Sequence, residues 1–352
     1  MAARAGLILG VALVAAVTPA WAQDAVLSRG FIFEDVPFES AHASTIVETA
    51  PGELLAAWFG GSDEGEPDVE IWVARKSGSE PWTMPRAVTS YPEMPCWNPV
   101  LYHGGETTTL YFKVGPSPRE WVGAYRTSED GGQTWSDVTY LPAGLTGPIR
   151  AKPIRLEDGT LLAGTSFEAG YTGGTPSDAP YRTWSVWVER STDGGRTWTK
   201  HGPIGVPGEL YGVIQPTLWE SSPGVVRMLM RATGRIGYVP EAVSTDGGRT
   251  WSQARPTRLP NPNAGIDVVK LSDGRLVLIY NHTERGRSPI HLAVSSDDGA
   301  TWSEPLVLEE GQGEFSYPAV IQAEDGRLHV TYTWRRERVR HLVVDAETLP
   351  GG

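Results

Sequence analysis

Polar residues stand at the head of one apolar run after another in this chain. Tyr317 precedes Pro318-Ala319-Val320-Ile321, and His42, Asn98, Lys152, Gln215 and Asp267 hold matching places earlier. A polar group at the mouth of a buried strand is costly unless it has partners, so a recurrent set points to a shared polar site. His42 can act as acid or base near neutral pH. Glu64 and Asp68 lie in an acidic, Gly-rich loop, residues 58–68, the kind of segment that carries functional groups on a rigid scaffold. Arg231 and Arg335 each follow an apolar run, as do Asn281 and His282 after Leu276–Tyr280. Arginine is a permanently charged fork suited to gripping a carboxylate. These residue types suit acid–base work on an anionic ligand.

Such residues are far apart in sequence, and a repeat is what brings them together. The pattern Ser-x-Asp-x-Gly-x-Thr-Trp occurs at Ser128–Trp135, Ser191–Trp198, Ser244–Trp251 and Ser295–Trp302. Trp82 ends a degenerate fifth copy. A spacing of about 50 residues marks a stacked supersecondary unit. Asp-Gly-Gly is turn chemistry, and Thr-Trp opens the next strand. A second turn, Leu-x-Asp-Gly-x-Leu, recurs at Leu156–Leu161 and Leu271–Leu276. Alternating apolar runs flank these turns. Each unit therefore reads as four strands, and six units can be counted, with first strands near His42, Asn98, Lys152, Gln215, Asp267 and Tyr317. The expectation is an all-β, six-bladed β-propeller of four-stranded antiparallel blades. The strand-like Ser28–Phe33 should close the ring in the last blade, which leaves only short edges.

Met1–Ala22 reads as an export signal, with Arg4, an apolar core from Leu7 to Val17 and Ala20-Trp21-Ala22 as cleavage site. Residues 23–352 then form one domain, and the protein is expected in the periplasm or outside the cell. The net charge of −12 argues against nucleic acid and anionic membranes as partners. Cys96 is the only cysteine, so no internal disulfide holds the fold. No ligand spacing for a metal and no cofactor fingerprint is present; the expected partner is a glycan. The sequence holds 14 tryptophans. Those of the repeats are assigned to blade packing, while Trp58, Trp97 and Trp334 are candidates for a sugar platform.

The repeat is the Asp-box, or bacterial neuraminidase repeat, and the chain beyond Ala22 resembles the sialidase (neuraminidase) superfamily. The resemblance implies three arginines on a carboxylate, an aspartate acid/base, and a tyrosine nucleophile activated by a glutamate. It makes Tyr317, in Glu314-Phe315-Ser316-Tyr317-Pro318, similar to the nucleophile, and puts Glu64 or Asp68 in the acid/base loop. It puts His42 at the place of the first arginine and Asn281-His282 at that of a second. It puts the glutamate at Asn263-Ala264-Gly265, with Asp267 close by.

Three activities fit. In a retaining exo-glycosidase Tyr317 attacks the anomeric carbon, as in the tyrosine exception to the two-carboxylate rule. In a uronate lyase His42 or Tyr317 removes the proton next to a carboxylate neutralised by Arg231 or Arg335. A non-catalytic glycan-binding propeller needs the arginines and aromatics but no acid or base.

Overall fold

A computed structural model describes residues 25–170 and 182–351; the export signal expected at Met1–Ala22 lies outside these residues. The described chain folds into six four-stranded antiparallel sheets. Blades one to five take residues 40–87, 96–140, 154–204, 213–260 and 267–309, each in simple chain order. The inner strands begin within two residues of the expected positions. No helix among the described residues is long and apolar enough to cross a membrane.

The sixth blade holds three strands of the C-terminal region, Phe315–Gln322, Leu328–Trp334 and Arg338–Val344, and takes its outer strand, Val26–Phe31, from the other end of the chain. Arg29 pairs with Leu342 and Phe31 with Arg340 in an antiparallel ladder. Arg340 lies over the Phe31 ring at 3.9 Å and bonds Glu309 of blade five at 3.0 Å. This pairing satisfies the backbone groups that an edge strand would expose.

Because both faces of each sheet are covered by neighbouring blades, apolar residues occupy long stretches of the inner strands. The core is accordingly a series of layers between blades. Val277, Ile279 and Leu292 of blade five meet Val320, Val330 and Leu342 of blade six. Ile32, Phe33 and Val339 meet Ala41, Ala56 and Trp58 across the closing seam.

The Asp boxes act as outer staples. In the third copy Asp246 accepts the Thr250 N–H at 2.9 Å and the Thr250 hydroxyl at 2.6 Å, while Ser244 Oγ accepts the Gly248 N–H at 2.9 Å. Gly247 and Gly248 stand at φ of 70° and 84°, where a Cβ would be strained. The fourth copy has Asp298 at the first glycine place, at φ 58°. Its carboxylate accepts the Trp219 indole N–H at 2.8 Å and pairs with Arg227 at 3.1 Å, joining blade five to blade four.

Removing the chain up to and including Phe31 would expose the Arg338–Val344 edge. We expect the thermal midpoint of that truncated protein to fall by on the order of 5 °C or more, with a broader transition by circular dichroism. An unchanged, equally sharp melt would show that the closing strand is dispensable.

Candidate active site

The inner strands of four blades carry a bulge near the mouth of the ring, between His42 and Thr45, Trp97 and Val100, Ile214 and Thr217, and Ser316 and Ala319. Within each bulge one non-glycine residue takes a left-handed backbone: Ala43, Asn98, Gln215 and Tyr317, at φ of 55°, 39°, 52° and 52°. That conformation costs an L residue roughly 1–2 kcal/mol, and bulges re-aim side chains. Proline follows three of the four, at positions 99, 216 and 318, and disfavours the ordinary helical alternative for the preceding residue.

Tyr317 is 7% exposed and lies at the centre of the resulting cluster. Arg231 Nη1 donates to its hydroxyl oxygen at 2.6 Å, and Gln215 Nε2 lies 3.4 Å from the same oxygen. Arg231 also donates to Gln215 Oε1 at 3.1 Å and to Asn263 Oδ1 at 2.8 Å. Three guanidinium carbons, of Arg150, Arg231 and Arg287, lie 5.4, 5.6 and 5.5 Å from the Tyr317 ring centre. The His42 ring lies 4.1 Å away. Its Nδ1 bonds the Thr333 hydroxyl at 2.9 Å, while Nε2 is buried without a hydrogen-bond partner among the described residues. Burial, aided by Arg336, Arg287 and Arg150, pushes His42 well below its ordinary pKa. It is therefore a neutral imidazole at ordinary pH, with one open nitrogen.

A second charged cluster borders the first. Glu314 pairs with Arg287 at 2.8 Å and with Arg336 at 3.0 Å, and Arg336 reaches Glu64 at 2.5 Å. Burial would raise the Glu314 pKa, but nearby positive charge and the Ser316 hydroxyl hold it at about 2. Glu64 is brought to the mouth by this chain of pairs. Asp68 instead turns back on its own loop, accepting from the Ser62 N–H at 3.0 Å and hydroxyl at 2.8 Å.

Other expected residues have internal partners. Asp267 is 1% exposed and is bonded to the Thr217 hydroxyl, the Val320 N–H and Lys152, each at 2.9 Å. It thereby joins blades three to six around the axis. Asn281 donates to the Pro289 and Phe315 carbonyls at 2.9 Å, tying blade five to blade six. His282 bonds Tyr280 and packs on His291. Asn98 is buried, with its carbonyl facing Lys113. Arg335 is exposed and stacks on Trp334 at 4.4 Å; its neighbour Arg336 is the one that enters the mouth. Of the three tryptophans, Trp58 is fully buried against Phe33. Trp97 lies beneath Gly65 of the acidic loop, and Trp334 packs on Phe31.

Two sequence expectations are displaced. The group beside the Tyr317 hydroxyl is Gln215 of blade four, an amide where the resemblance implies a glutamate from the region of Asn263. Asn263 serves otherwise: its side chain accepts from Arg231 and its carbonyl from Arg287, the latter at 3.0 Å. The arginine expected at Asn281-His282 is likewise absent there, and Arg231 and Arg287 flank Tyr317 instead. Arg287 lies between the second and third strands of blade five, the slot that Glu64 holds in blade one. Comparing slots rather than strand ends would have found it.

An Asp-box six-bladed propeller with a tyrosine–arginine mouth is the class these features define. Residues 52–330 match the BNR repeat-like domain, and the chain belongs to that family. It is 27% identical over 335 residues to a sialidase of Micromonospora viridifaciens, covering 84% of this chain and 50% of that protein. The chain thus spans about half the length of that relative. In fold it is similar to a Dyadobacter fermentans protein of unknown function, with TM-score 0.74, 18% identity, and 91% and 98% of the two chains covered. It is also similar to a Hadza microbial sialidase, with TM-score 0.73, 20% identity, and 88% and 66% covered.

Lys113 offers a test of how the mouth is supported. It is fully buried, donating to the Asn98 and Pro148 carbonyls. Burial pushes its pKa from 10.5 to about 7, against the opposing charge of Glu189. Between those values the unfolded chain holds the proton and the folded one does not, so stability rises with pH, by at most about 1.4 kcal/mol per unit. Urea unfolding from pH 7 to 9 should show the wild type gaining on Lys113→Met. Parallel profiles would mean that the amine is charged when buried.

Proposed function

We propose that this protein is an exo-glycosidase of the sialidase type, exported from the cell, which hydrolyses the terminal bond of a glycan ending in an acidic sugar. The observation that carries this reading is the Tyr317 hydroxyl, held by Arg231 at 2.6 Å. Tyr317 attacks the anomeric carbon, its phenolic proton passing to the open His42 nitrogen, and the glycosidic bond breaks; water later displaces the tyrosyl oxygen, which takes the proton back. Glu64 protonates the departing oxygen and later activates water, because it, rather than Asp68, reaches the mouth. Arg231 neutralises the sugar carboxylate. The donor on the phenolic oxygen strengthens as charge gathers there. The sialidase relatives support the class of reaction, and the sugar is left to experiment.

Gln215 favours a second reading. An amide cannot take the phenolic proton, whereas His42 has an open, neutral nitrogen beside Tyr317. In a β-elimination His42 would take the proton next to a uronate carboxylate. The bond to the neighbouring sugar then breaks, a carbon–carbon double bond forms, and Tyr317 protonates the departing oxygen.

Purified protein should be assayed on a fluorogenic α-sialoside and on a uronate glycan, the latter by the ultraviolet absorbance of an unsaturated product. For the hydrolase, Tyr317→Phe should lower kcat at least about 10³-fold, and Glu64→Gln by about 10²–10⁴-fold. Unsaturated product abolished by His42→Ala would replace hydrolysis with elimination. Turnover unaffected by Tyr317→Phe would refute both readings.

A further inference from the structure

We infer that the ligand of this mouth carries two negative charges rather than one. The inference deepens the reading above and rests on the Tyr317 cluster being the ligand site.

Three carboxylates around the mouth are already committed. Glu314 serves Arg287 and Arg336, Glu64 serves Arg336, and Asp267 serves Lys152. Arg150 and Arg231 remain, and neither has a carboxylate within ion-pair distance among the described residues. They are only 3% and 7% exposed. Their partners are neutral: the Pro318 carbonyl for Arg150, and Asn263, Gln215 and Tyr317 for Arg231. Arg150 also keeps Nε and Nη1 buried without a hydrogen-bond partner. Both guanidiniums stand over one phenol ring; burial and Arg231 disfavour the Arg150 charge, and Asp267 offsets this only from beyond ion-pair distance. Two buried like charges without a carboxylate in ion-pair contact are costly, and an incoming anion that pairs with them removes that cost.

Position 215 is where the chain could have cancelled one of them. Its side-chain oxygen already lies 3.1 Å from Arg231. A glutamate there would be an ion pair of nearly the same shape; the glutamine leaves the charge open. Glu168 acts on Arg231 without forming an ion pair, and burial pushes its carboxyl toward the neutral form. Space is kept as well. A Cβ on Gly265 would lie 3.3 Å from Arg150 Nε and 3.6 Å from both Gln215 Oε1 and Tyr317 Cδ2. Gly265 has no left-handed backbone to require a glycine, so its missing side chain serves the room among these groups. The fitting ligand is an acidic sugar with a second anion close by, either a sulfate ester on the same ring or the carboxylate of an adjoining acidic sugar.

Calorimetric titration of the intact protein at constant ionic strength tests this. The probes are galacturonate against digalacturonate, and glucuronate against its 2-sulfate. At least one dianion should bind wild type about tenfold tighter than its monoanionic counterpart, and the better pair identifies the source of the second charge. In Gln215→Glu, which supplies one negative charge, that preference should shrink to less than about threefold. Equal binding of mono- and dianions by wild type overturns the inference, as does no binding of any probe, or a preference unchanged in Gln215→Glu. Turnover is scored separately. Dianion preference without bond cleavage would defeat the hydrolase and spare this inference; cleavage of a monoanionic sialoside with no dianion preference would do the reverse.

Discussion

Everything at the mouth depends on closure of the ring. His42, Gln215 and Tyr317 come from blades one, four and six, and Arg150 and Arg287 from loops beside blades three and five. Blades one and six, which carry His42 and Tyr317, meet only when the circle is complete. The ladder between Val26–Phe31 and Arg338–Val344 completes it. Its contribution is both topological and energetic. It removes an open edge and also clamps the seam where Val339 packs on Ala41 and Trp58.

Within the closed ring, the stabilising and functional parts occupy different radii. The outer boxes are local hydrogen-bonded turns, each nearly complete within eight residues. The layers between blades are apolar. Near the axis several buried charges gather, and there the backbone takes left-handed bulges at Asn98, Gln215 and Tyr317. Strain and desolvated charge in one place are what a preorganised site requires, because its groups then need little rearrangement when a ligand arrives. Asp267 shows the contrasting use of a buried charge. With Lys152, Thr217 and Val320 around it, its bonding is satisfied within the channel.

The displaced glutamate has a simple cause. Blades four and five are similar in sequence rhythm, so a motif sought by its distance from a strand start can be assigned to either. Asn263 lies at the right kind of place for the wrong blade, whereas Asn281 and Arg287 share one inter-strand segment of blade five. Which blade faces Tyr317 depends on the rotation between blades, and no local pattern records that rotation. The same limit separated Arg335 from Arg336: adjacent residues point differently, and the turn after Trp334 decides which one meets Glu314 and Glu64.

The repeats alone determined six four-stranded blades, their order and the closing strand, because turn chemistry and strand alternation are local and recur with one period. They also marked Tyr317, His42, Gln215 and Arg231 as polar heads or ends of apolar strands. Tertiary structure decided what these residues do to one another. It set an amide against the Tyr317 hydroxyl, brought Arg150 and Arg287 in from separate blades, gave Glu64 a partner and turned Asp68 away. Charge balance is a sum over groups close in space, and in this chain those groups come from all around the ring.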